Sequence, residues 1–145
     1  MILHAGLIAL RREGAWRGVL LQGRSGAGKS DLMLRAVSLG FRLVADDRTL
    51  VWRSGGRLYG RAPGPLHGLL ELRGVGVVAE PALPLAQIVL VVRCEAGEVE
   101  RMPDAAYEEI EAVRSPLLRL RALDASAPAK LGRALNRLGR GRGAA

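Results

Sequence analysis

Apolar positions near the start of the chain fall into two β-prone runs, residues 2–10 and 18–21, separated by the polar, glycine-containing stretch Arg11-Arg12-Glu13-Gly14-Ala15-Trp16-Arg17. This pattern predicts two strands joined by a hairpin or a longer connection. The second run leads straight into Gly23-Arg24-Ser25-Gly26-Ala27-Gly28-Lys29-Ser30. Over residues 29–39 the apolar side chains Leu32, Met33, Ala36 and Val37 recur at helical spacing, and Gly40 stands where a left-handed C-terminal cap belongs, so a helix is predicted there. Residues 41–45 then read as a buried strand that ends in two adjacent carboxylates, Asp46 and Asp47, and residues 49–53 and 57–59 as strands flanking a Ser54-Gly55-Gly56 turn. After a loop with Pro63, Gly64 and Pro65, residues 69–81 carry Leu-Leu-Glu-Leu-Arg-Gly-Val-Gly-Val-Val, and residues 88–92 are the best strand candidate by β-branched content. Residues 105–113 and 129–138 are helix-compatible. Hairpins and helical segments arranged around one strand, loop and helix predict a single α/β domain with a mixed β-sheet, spanning residues 1–138. The glycine-rich, basic residues 139–145 are predicted to be a disordered tail.

Length and composition narrow the class. A chain of 145 residues fits one domain that buries a core. No apolar run approaches the ~18 residues that a membrane span needs, and the N-terminus lacks a basic leader and a cleavage site. The single cysteine, Cys94, excludes an internal disulfide and a metal site built from cysteines, and reads as a small buried residue. These features predict a cytoplasmic protein without a membrane partner. The net charge of +8 is local: Lys130, Arg133, Arg137, Arg140 and Arg142 crowd the last residues with no acid among them, while residues 95–111 carry seven acids against one arginine. With only five aromatic residues to stack on bases, this distribution argues against nucleic acid as the partner.

The chemistry lies in three motifs. Residues 23–30 satisfy the full phosphate-loop (P-loop) pattern between an apolar strand and an amphipathic helix, the context that gives the pattern its meaning. Gly23, Gly26 and Gly28 allow the backbone N–H groups of Arg24, Ser25 and Ala27 and their neighbours to turn inward on phosphates, aided by the helix dipole. Lys29 would reach the β- and γ-phosphate oxygens, and the Ser30 hydroxyl would ligate Mg²⁺. Asp47 follows Lys29 by 18 residues, at the end of a strand where ligands of such sheets sit. One aspartate there would suffice to hold Mg²⁺, and a second could accept a proton from an attacking hydroxyl, with Asp46 a candidate for metal or proton handling. In the third motif, Glu71 could complete a metal site with Ser30, and Arg73 could neutralise phosphate charge in the transition state, although a Glu/Arg pair on a strand is more often a surface ion pair.

Together, Gly-Arg-Ser-Gly-Ala-Gly-Lys-Ser, Leu43-Val44-Ala45-Asp46-Asp47 and Leu69-Leu70-Glu71-Leu72-Arg73-Gly74-Val75-Gly76-Val77-Val78 resemble the catalytic domain of HPr kinase/phosphorylase, strongly over residues 4–78 and weakly to residue 136. The resemblance implies a fold similar to that catalytic domain and to the phosphoenolpyruvate carboxykinase-like nucleotide-binding core. It implies ATP and Mg²⁺ as cofactors, an HPr-type phosphocarrier protein as substrate, phosphate and pyrophosphate as partners of the reverse reaction, and a homo-oligomer, hexameric in the family. By position, Lys29 resembles the lysine on the ATP phosphates, Ser30 and Glu71 the metal ligands, Asp47 the proton acceptor, and His4 a histidine that precedes the phosphate loop. His67 has no counterpart and reads as a loop residue. The chain looks like a short form lacking the N-terminal domain. The later arginine-bearing segment is poorly matched, and either Arg119 or Arg121 could take that place. The rival readings are a regulatory module that binds nucleotide without transfer, and a small-molecule kinase.

Overall fold

Along β2 (Gly6–Arg12), Leu7 and Ala9 enter one apolar cluster while Ile8 and Leu10 enter another, so the two-residue period of the strand buries both of its faces. The same division runs along β3 (Ala15–Gln22), where Val19 and Leu21 face one cluster and Leu20 the other. These strands form the centre of a nine-stranded mixed sheet in the computed structural model, which describes residues 1–139. β2 pairs antiparallel with β3 and with β4 (Arg42–Ala45), and β3 runs parallel to β9 (Ala86–Glu95). The far edge of β9 is shared: its first half pairs antiparallel with β6 (Arg57–Arg61), its second half parallel with β11 (Val113–Arg121). β5 (Thr49–Ser54) links β6 to β1 (Ile2–Leu3), and β10 (Ala106–Ile110) pairs with β11. A separate hairpin is made by β7 (Leu69–Leu72) and β8 (Gly76–Ala79).

On one face, α1 (Lys29–Val37) and α2 (Ala127–Arg137) cover the sheet through Leu32, Met33, Ala36, Leu131 and Leu135, all fully buried. Each such leucine contributes about 1.5–3 kcal/mol of burial. Gly40, at φ 102°, ends the first helix, with the Phe41 N–H donating to the Ala36 carbonyl and the Gly40 N–H to that of Val37, the pair of bonds of a Schellman cap. Lys130, Arg133 and Arg137 lie on the exposed side of α2, so part of the basic excess is the solvent face of an amphipathic helix. Of the tail expected at residues 139–145, residues 140–145 lie outside the described residues. Among the described residues no helix is long and apolar enough to cross a membrane.

Three expectations change. Residues 105–113 are not helical: β10 and β11 form a hairpin with Ala106 opposite Leu117 and Ile110 opposite Val113. Its turn residues, Glu111 and Ala112, both take positive φ (50° and 62°), as a two-residue type I′ turn demands, without the Asn or Gly that usually marks one. Pairing with β11, itself joined to the buried β9, overrides the helical propensity of Ala and Glu. The run at residues 2–10 is two strands, because the chain bends at His4-Ala5 and β1 leaves β2 to pair with β5. The strand expected at 18–21 extends back to Ala15, closed on β2 by the Glu13-Gly14 turn.

Candidate active site

β4 is antiparallel to β2, which is antiparallel to β3, so β4, β3, β9 and β11 all point the same way and end along one edge of the sheet. Carboxyl ends of strands in such sheets are where ligands collect. β3 ends in the phosphate loop, β4 in Asp46 and Asp47, and β11 in the connection to α2. The loop therefore sits between two flanks, an acidic one beyond β2 and another beyond β9.

Within the loop, Gly28 precedes α1 with φ 92°, and a Cβ built there would come within 2.7 Å of the Leu123 side chain. Only glycine fits both the backbone and the contact. Arg24, Ser25 and Gly26 are exposed, Ala27 is buried, and the Ala27 N–H closes a turn on the Arg24 carbonyl at 3.0 Å. Lys29 is buried, and its ammonium donates to the Gly23 carbonyl at 2.5 Å and the Arg24 carbonyl at 3.1 Å. The loop is thus folded around its own lysine.

Asp46 organises the acidic flank. The Ser30 hydroxyl donates to its Oδ1 at 2.8 Å and the Glu71 backbone N–H to its Oδ2 at 2.9 Å, tying α1, the end of β4 and the β7–β8 hairpin together. Leu70, fully buried against α1, anchors that hairpin and leaves Glu71 and Arg73 exposed. The Glu71 carboxylate is accordingly not drawn into the Ser30–Asp46 pair; its main chain is. Among the described residues no three His, Cys, Asp or Glu side chains converge to hold a metal.

Asp47 takes φ 67°, and the Arg48 N–H reaches back to the Asp46 carbonyl at 2.7 Å, a three-residue γ-turn of the strained, positive-φ kind. The turn thrusts the Asp47 carboxylate outward, to 2.5 Å from His4 Nε2 and 4.0 Å from the Arg48 guanidinium. The ladder explains the first contact. Leu7 lies opposite Ala45 and Leu3 opposite Thr49, so the bend at His4-Ala5 faces the bend at Asp46-Asp47. Thr49, fully buried, fixes the pair of bends by donating its hydroxyl to the Ala5 carbonyl at 2.8 Å. A shallow depression lined by Ile2, His4 and Arg48 adjoins the Asp47 carboxylate.

Residues without a local sequence signal support the loop from the other flank. Glu108 on β10 accepts from Gln22, the residue before Gly23, at 2.6 Å, and from Arg93 at 2.5 Å. Arg119 pairs with Glu95 at 3.6 Å and Arg121 with Asp124 at 3.5 Å, so neither arginine reaches the Asp47 carboxylate in this structure. His67 is an exposed residue after the single 3₁₀ turn Gly64–Leu66. Cys94 is buried beneath the loop, and burial pushes its thiol up to about 11, Lys29 opposing the shift and Glu95 adding to it.

Residues 3–83, more than half of the chain, match the family described as HPr Serine kinase C-terminal domain. The chain belongs to that family. The HPr kinase/phosphorylase of Cupriavidus metallidurans is 36% identical, the alignment covering 74% of this chain and 44% of that protein. That of Enterococcus faecalis is also 36% identical, over 80% of this chain and 39% of the relative. The chain thus spans less than half the length of these relatives. In fold it is similar to the HPr(Ser) kinase/phosphatase of Coxiella burnetii, with a TM-score of 0.79 at 20% identity, covering 94% of this chain and 95% of the other. The family match takes in the phosphate loop, both aspartates and the β7–β8 hairpin; β9 to α2 lie beyond it, but within the extent of the fold likeness.

Proposed function

We propose that this chain is a cytoplasmic, ATP- and Mg²⁺-dependent protein-serine kinase acting on an HPr-type phosphocarrier. The observation that carries the reading is the flank beside the phosphate loop: Asp46 is held inward by Ser30 and the Glu71 N–H, while Asp47 is turned outward to His4. Two adjacent carboxylates thereby serve two tasks. The outward one can meet an incoming protein side chain. Family membership and the names of the relatives point to a serine of HPr as that side chain.

In the forward reaction, loop N–H groups and Lys29 hold the phosphates once the lysine leaves the Gly23 and Arg24 carbonyls. Ser30 and Asp46 are hard oxygen donors beside the phosphates, a set suited to Mg²⁺ shared with phosphate and water, and the ion would neutralise charge on the transferred group. The seryl oxygen bonds to the γ-phosphorus, the bond from that phosphorus to the bridging oxygen of ADP breaks, and the seryl proton passes to Asp47. His4 orients that carboxylate by donating its Nε2–H. Arg73, exposed at the hairpin turn, would supply positive charge as the phosphorus changes partners, and Glu71, whose main-chain N–H binds Asp46, would add its carboxylate to the ligands of the ion. Phosphoserine and phosphate would use the same groups in reverse, giving pyrophosphate.

Incubation with γ-labelled ATP, Mg²⁺ and HPr should place label on a serine of HPr, and chelation of Mg²⁺ should abolish it. Nucleotide binding without labelled product would favour a second reading, a regulatory binding module, which the lysine folded back on its own loop supports. Labelling of a metabolite in place of HPr would favour a small-molecule kinase.

A further inference from the structure

Opposite the acidic flank, the connection from β11 to α2 places Leu123 on the phosphate loop. A single exposed leucine is ordinary on a protein surface. This one, 66% exposed, is held in place from both sides. The Arg35 guanidinium donates to the carbonyls of Ala122 and Asp124, the two neighbours of Leu123, the latter at 2.9 Å, and its Nε donates to Asp31 at 2.8 Å. Asp31 lies in the first turn of α1, just after Lys29 and Ser30. The leucine is therefore fixed relative to the helix that receives the phosphates, with its side chain over the Cα of Gly28.

The order of strands along the sheet edge gives this position a meaning. Asp46 and Asp47 stand on the β4 side of the loop and Leu123 on the β11 side. If the reacting phosphate faces the aspartates, the rest of the donor must extend the other way, past Gly28. The aromatic side chains are engaged elsewhere: Trp52 stacks on Tyr59, Trp16 lies under Arg42, Tyr107 under Arg114, and Phe41 is in the core. The flat apolar face of a base arriving there meets an aliphatic wall.

We infer that Leu123 is the residue on which the nucleoside of the phosphoryl donor packs, making the β11–α2 connection the base-binding side of the site. The inference rests on the phosphate-loop reading above, and a ligand that lacks a base separates the two. Calorimetric titration with Mg-ATP and with Mg-tripolyphosphate should show the Leu123→Ala protein binding ATP about tenfold more weakly, while tripolyphosphate changes by less than about twofold. Leu123→Met, which keeps an apolar chain of similar reach, should retain ATP affinity. Equal weakening of both ligands, or of neither, would overturn the inference, since a residue that merely supports the loop moves both together. Failure of the unaltered protein to bind tripolyphosphate would overturn the phosphate-loop reading and the inference with it.

Discussion

Asp46 and Asp47 are neighbours with opposite environments, and the difference is made by one backbone turn. Asp46 continues the line of β4 and is held by two donors, whereas the positive φ of Asp47 sends its carboxylate to His4. Such a conformation costs of order 1–3 kcal/mol at a non-glycine residue and persists where surrounding structure enforces it, here the Thr49–Ala5 bond and the β1–β5 pairing. Cys94 is the other residue whose environment is decisive. Folding favours its neutral thiol, since burial raises it from 9.0 to about 11. Its contribution to stability is therefore intact below pH 9 and declines as pH rises toward 11, where the unfolded chain ionises first. At pH 8 the native protein should react with iodoacetamide on the order of 100-fold more slowly than the urea-unfolded chain, by thiolate fraction alone. Similar rates, followed by mass spectrometry, would show that the thiol is not shielded.

At the level of elements, what was legible in the sequence was what local rules encode. The α1 helix, its Gly40 cap, the β5–β6 turn at Gly55-Gly56 and the strand at 88–92 each carry their own signal in period or turn chemistry, and each is present. The β10–β11 hairpin carries none, because its turn is built from Glu111 and Ala112, and it is fixed by the pairing of β11 with β9. The site divides along the same line. The phosphate loop and both aspartates were visible as motifs, but the bond between Asp46 and the Glu71 N–H, the Arg35 clamp on residues 122 and 124, and the Gln22–Glu108–Arg93 network join residues far apart in the chain. That network is the only side-chain hydrogen-bonded link from β10 to the strand that enters the loop among the bonds of the described residues. Glu108→Ala should lower stability by about 1 kcal/mol, a small cost because Arg93 is partly exposed, and should weaken nucleotide binding through Gln22. Urea unfolding together with ATP titration checks both; an unchanged ATP affinity would mean that the loop does not depend on β10.

For the whole molecule, the decisive feature is the sheet edge at which four parallel strand ends meet. It sets the phosphate loop in the middle, the two aspartates on the β4 side and Leu123 on the β11 side; under the proposed function a donor would lie across this edge with its reacting end toward the depression beside His4 and Arg48. The described residues contain both flanks although the chain spans less than half of its curated relatives. Asp47 is the group proposed to make transfer, rather than binding alone, the outcome at this edge. The most direct measurement is the rate of label transfer from γ-labelled ATP to HPr by the Asp47→Asn protein, at a nucleotide concentration shown by titration to saturate it. If Asp47 accepts the seryl proton, the rate should fall about 10²–10⁴-fold with ATP affinity essentially unchanged; transfer at the unaltered rate would rule that role out.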